Sequence, residues 1–140
     1  MKYLFMIYLL LTIASLISCS SSAGKENSFN VSCDQLSKAN HVDINMEVSE
    51  GDLLVLNLCS NPTTGFQWSE VPEISDQNVL KQTYHKFTAP ETGKVGSSGS
   101  EEWGMQILKQ GNSTFIWEYS RPWEGGEKAE WSVTATVTAE

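Results

Sequence analysis

The chain has 140 residues and carries 17 acidic against 9 basic side chains, a net charge of −8 at neutral pH. A balance this acidic, with no run of lysine or arginine, argues against nucleic acid or an anionic lipid surface as a partner. The length suits one domain of ordinary size.

The first stretch does not belong to that domain. Lys2 is followed by an apolar run from Tyr3 to Ile17, interrupted by Thr12 and Ser15. One positive residue, a short apolar core and small residues at its end make a secretory signal peptide. The run is short for a spanning helix, and no charged stop follows it. Leu16-Ile17-Ser18-Cys19 also resembles the lipobox of bacterial lipoproteins, whose cysteine is lipidated and becomes the mature N-terminus. The resemblance implies residues 1–18 as signal peptide, a lipidated Cys19, and a membrane held through acyl chains. As an exported lipoprotein the chain is expected to face the periplasm or the cell exterior, and Ser20 after Cys19 lacks the aspartate that retains many lipoproteins at an inner membrane. Residues 1–18 contain Lys2 as their one charged side chain, so their removal lowers the basic count from 9 to 8 and takes the net charge from −8 to −9.

Ser20 to Asn30 is polar, serine-rich and aperiodic, which predicts a flexible tether over 19–30 and a folded domain over 31–140. Cys33 to Asn40 reads as a helical turn or an irregular lead-in. From His41 the pattern is strand-like: Val42, Ile44, Met46 and Val48 alternate with polar residues at a period of two. Glu50-Gly51-Asp52 is a turn, and Leu53 to Leu58 a more continuous apolar strand. Phe66 to Ser69 starts the next strand, and Val71 to Asn78 is a connection. Val79 to Phe87 is rich in β-formers, and Thr88 to Ser100 is a loop by its Pro90, Gly93, Gly96 and Gly99. Trp103 to Ile107, Thr114 to Tyr119 and Ala129 to Thr138 complete the set. About seven short strands with turn signals between them and no long amphipathic helix predict an all-β sandwich of immunoglobulin-like type.

With Cys19 assigned to lipidation, Cys33 and Cys59 are an even pair in an exported chain and read as a disulfide. The alternatives are two buried free thiols or a catalytic cysteine, which would need His41 or His85 beside it. No metal-binding, phosphate-binding or nucleophile–base pattern is present, so no cofactor and no enzymatic activity are expected.

Three loops stand out. Asn61-Pro62-Thr63-Thr64-Gly65-Phe66 joins a fixed φ at Pro62 to a permissive Gly65, the makings of a preorganised binding loop or of an ordinary tight turn. Gly96-Ser97-Ser98-Gly99 has little side-chain bulk. Arg121-Pro122-Trp123 offers two residue types enriched at binding hot spots, although Trp123 could pack on its own domain and Arg121 could pair with a nearby acid. Counted from Val42, the loops follow the second, fourth and sixth strands. If strands alternate in direction, all three emerge at one end.

Together these segments, with Glu124 and Gly125 after Trp123, resemble the signature loops of the chagasin-type inhibitors over roughly His41 to Ala139. Ser98 departs from the family, which has glycine there. The resemblance implies a reversible, non-covalent inhibitor of papain-like cysteine peptidases, expected as a monomer, whose three loops form a wedge in the active-site cleft. It places Thr63 nearest the catalytic thiol, Gly65 against the enzyme, and Trp123 on aromatic residues of one wall. Trp68 belongs to the strand that follows. An adhesion domain or a carbohydrate-binding module is the competing reading.

Overall fold

The computed structural model describes residues 24–90 and 97–140. The signal-peptide residues, Cys19, the first part of the tether and Gly96 lie outside the described residues. The described residues form nine strands and one short α-helix: β1 (Glu26–Val31), α1 (Cys33–Ala39), β2 (His41–Val48), β3 (Leu53–Ser60), β4 (Gln67–Trp68), β5 (Glu73–Ile74), β6 (Leu80–Thr88), β7 (Gly99–Ile107), β8 (Gly111–Ser120) and β9 (Trp131–Ala139). They make two sheets, one ordered β1-β3-β7-β6 and the other β2-β9-β8-β4, with β5 also paired to β8. The sheets pack face to face as an immunoglobulin-like sandwich.

The inner faces follow from period-two patterning. Leu54, Leu56 and Leu58 of β3, Trp103 and Met105 of β7, Phe115, Trp117 and Tyr119 of β8, and Val133, Ala135 and Val137 of β9 are all buried. Trp103 and Trp117 meet across the core with ring centroids 5.5 Å apart. The more continuous run in β3 has a local cause, since its outer face is covered as well. Gly104 pairs with both Val55 and Tyr84. A Cβ on Gly104 would lie 2.0 Å from the Tyr84 ring, so the missing side chain lets that ring lie across the sheet.

The expectation of a flexible tether up to residue 30 is corrected by β1. Glu26 to Val31 pairs in parallel with Leu53 to Leu58, and the folded domain begins before residue 31. The segment reads as linker because Glu26, Asn27, Ser28 and Asn30 are polar, yet an edge strand needs little apolar surface when its backbone is paired. Asp52 anchors this edge. Its carboxylate accepts from the backbone N–H of Lys25 at 2.8 Å, the Asn27 amide at 3.1 Å and the backbone N–H of Ser49 at 3.0 Å.

The lead-in after β1 is a true helix. Ser32 and Gln35 form a capping box, Asn40 ends the helix in the left-handed region at φ 55°, and Leu36 is fully buried. Cys33 is disulfide-bonded to Cys59, with 26 residues of sequence separation, tying α1 to the end of β3.

Two outcomes follow. Reducing the disulfide should lower unfolding stability by about 3 kcal/mol in denaturant titrations, the loop-entropy value for a closure of this length. Hydrogen bonds from the backbone, that of Ser49 foremost, hold the Asp52 carboxyl below the ordinary aspartate range. A depressed pKa contributes stability above the unfolded value of about 3.9, and the contribution is lost as pH falls through the folded value. Asp52→Asn should therefore be less stable than wild type at neutral pH and show a flatter decline in thermal midpoint on acidification.

Candidate functional site

The first loop is locked by its own hydrogen bonds. Pro62–Thr64 forms one 3-10 turn, capped by Gly65 at φ 80°. The Thr64 N–H donates to the Asn61 carbonyl at 3.2 Å and the Gly65 N–H to the Pro62 carbonyl at 3.1 Å. The Thr63 hydroxyl donates to Asn61 Oδ1 at 2.6 Å, and the Thr64 hydroxyl donates to the Asn61 carbonyl at 2.7 Å. Below the turn, the Tyr119 hydroxyl accepts from the Asn61 N–H at 2.9 Å. Pro62, Thr63 and Thr64 are exposed at the tip, whereas Phe66 is buried beneath it.

The third loop leans on the first. A Cβ on Gly65 would come within 2.9 Å of Trp123 Cη2, so the indole rests directly on the glycine backbone while remaining 52% exposed. The Arg121 guanidinium lies 4.5 Å above the Phe66 ring and 5.9 Å from the Trp123 ring, with Glu127 Oε2 3.7 Å from Nη1. Arg121 thus braces the third loop against the first while its side chain stays 38% exposed. The Arg121 N–H donates to the Glu127 carbonyl at 2.8 Å, and the Lys128 ammonium donates to the carbonyls of Arg121 and Trp123.

Of the second loop, Ser97, Ser98 and Gly99 are described. Gly99 already belongs to β7 and pairs with Ser60, the residue before Asn61. The Ser98 hydroxyl lies 3.3 Å from Cys33 Sγ. Register confirms that the loops share one end: Ser60 faces Gly99, Thr88 faces Ser100, and Gln67 faces Ser120. The bases of the first two loops are also clamped together. The Ser60 hydroxyl donates to Glu101 Oε1 at 2.6 Å, and His85 Nε2 lies 2.8 Å from Glu101 Oε2 with its ring stacked on Trp103. Ser60 and His85 thus both bond Glu101, so this trio is a structural clamp and supplies no nucleophile–base pair.

Sequence patterning did not single out Tyr119, Glu127, Lys128 or Trp131. Tyr119 reads as one more inward aromatic of a strand, and the loop partners bond through backbone geometry that no motif encodes.

A wedge of three loops at one end of an immunoglobulin-like sandwich, with a locked turn at its centre, is the architecture of a protein that binds through shape. Residues 47–137 match the family described as Chagasin family peptidase inhibitor I42, and the chain belongs to that family. It is 36% identical over 93 residues to Amoebiasin-2 of Entamoeba histolytica, covering 66% of this chain and 74% of that protein. It is 29% identical over 87 residues to Chagasin of Trypanosoma cruzi, covering 61% and 79% of the two chains. Among solved structures, a cysteine protease inhibitor from Entamoeba histolytica superposes with a TM-score of 0.60 at 26% identity, covering 82% of this chain and 97% of that one. PbICP-C, solved in complex with falcipain-2, shares the fold at 17% identity with a TM-score of 0.58, covering 84% and 100%. This is a family of inhibitors rather than enzymes.

Gly65→Ala should test the coupling between the loops. The left-handed φ costs an L-residue roughly 1–2 kcal/mol, and the added methyl must displace Trp123. Thermal unfolding should register a loss of that order, together with a red shift of tryptophan emission as the indole lifts into water.

Proposed function

We propose that the chain is a reversible, non-covalent inhibitor of papain-like cysteine peptidases that fills the active-site cleft with its three loops. The observation that carries this reading is the exposed tip Pro62-Thr63-Thr64, held rigid beside a half-exposed Trp123. A loop already fixed by its own hydrogen bonds loses little entropy on docking, so its contact energy goes into affinity. The 3-10 turn also presents no extended peptide to a nucleophile. Opening it for cleavage would break the Thr64 and Gly65 backbone bonds and both threonine hydroxyl bonds. Thr63, at the apex, meets the catalytic thiol, Gly65 lets backbone approach closely, and the Trp123 indole buries its free face on a wall of the cleft.

The chain should inhibit papain or a cathepsin L-like peptidase tightly and reversibly, with activity returning on dilution and no cleavage of the inhibitor. Failure at micromolar concentration against a panel of such enzymes would remove the reading. Trp123→Ala should weaken inhibition roughly 10- to 100-fold, the range for truncating an aromatic hot spot, because half of the side chain is free to be buried by a partner. Its thermal midpoint should stay close to wild type.

We also propose that the domain works outside the cytoplasm, tethered through a lipidated Cys19 after removal of residues 1–18. The support is the lipobox resemblance of Leu16-Ile17-Ser18-Cys19 after an apolar run. Mass spectrometry of the membrane-extracted chain should find an acylated N-terminal Cys19. Recovery of Cys19→Ala in the same membrane fraction would count against the anchor.

A further inference from the structure

Helix α1 precedes the residues that match the family, which begin at 47. It is nevertheless fixed beside the wedge by its capping box, buried Leu36 and the bond from Cys33 to Cys59. Between α1 and the loops lies a pocket of about 360 Å³. Its apolar side is a row of rings: Phe66 stacks on Tyr119 at 5.5 Å, and Tyr119 on Trp131 at 4.9 Å. Asp34 of α1 and Glu130 at the foot of β9 line it from opposite elements. Among the described residues, no cation pairs with either carboxylate. Asn61, Thr64 and Ser98 of the first two loops line it too, facing Cys33 and Ser37 of α1, so the pocket adjoins the binding loops.

We propose that the pocket accepts a lysine or arginine side chain from the wall of the bound peptidase, making α1 a fourth contact element and a determinant of which peptidases are held most tightly. An aliphatic stem lying along the aromatic edges can be buried while its charged head reaches carboxylates at the rim. Two carboxylates on a strongly acidic chain give the pocket the charge complementary to such a head. The proposal rests on the inhibitor reading, because the peptidase supplies the cation.

Inhibition constants of the full chain and of its Asp34→Asn/Glu130→Gln variant, measured against papain, cathepsin L and falcipain-2, decide the matter. The variant should lose about tenfold in affinity for the most tightly inhibited enzyme, a deficit that shrinks as salt is raised, with an unchanged thermal midpoint. Equal constants for variant and wild type across the panel would overturn it. If the wild type inhibits none of the three, the inhibitor reading itself fails, and the pocket is then judged alone by titrating N-acetyl-arginine amide against the Trp131 indole NMR signal. A saturable shift that N-acetyl-citrulline amide does not reproduce, and that the double variant abolishes, retains a basic-side-chain pocket. Equal responses to the two amides, or no response, discard it.

Discussion

Tyr119 is the residue on which both the wedge and the upper core depend. Its hydroxyl holds the Asn61 N–H, while its ring lies between Phe66 and Trp131 and is tilted against Trp68 at 5.0 Å. One side chain from β8 thereby positions the start of the first loop, the strand after it, and the strand that follows the third loop. A buried phenol gains from stacking on both faces only if its hydroxyl also finds a partner, and the loop backbone supplies that partner. Core packing and loop conformation are therefore one constraint. The binding end is rigid because the sandwich beneath it is closely packed.

The loops also support one another sideways. Trp123 sits on Gly65, Arg121 spans Phe66 and Trp123, and Ser60 and His85 share the buried Glu101 carboxylate beneath the first two loops. Such links divide the loop residues into two kinds. Pro62, Thr63, Thr64 and Trp123 face outward, where a partner can reach them. Asn61, Phe66 and Arg121 hold those residues in place through contacts within the domain. Recognition by such a surface is a matter of shape kept at low entropic cost, which suits an inhibitor that performs no covalent chemistry.

The N-terminal segment adds to this arrangement from outside the family-matched residues. β1 closes an edge of one sheet through backbone pairing and the Asp52 anchor, and the disulfide carries α1 up against the loops. Together they place Asp34 beside an aromatic-lined pocket, opposite Glu130 at the foot of β9.

Much of the fold was legible in the chain itself, because alternation at a period of two is a direct consequence of strand geometry. Val42 to Val48, Thr114 to Tyr119 and the run after Ala129 declared their inner faces, and Pro62 with Gly65 declared a stiff turn. The placement of three loops at one end followed from counting strands. Long-range pairing was not legible. Glu26 to Asn30 read as tether because Phe29 is the one apolar side chain among four polar ones, and only the fold shows its backbone paired with β3 and Phe29 packed against the core. Only the folded loop sets the Arg121 guanidinium over Phe66, and only the sandwich brings Tyr119 under Asn61. Local chemistry determined the elements and the character of each loop. Tertiary structure decided which residues support and which are presented, since that depends on neighbours distant in sequence.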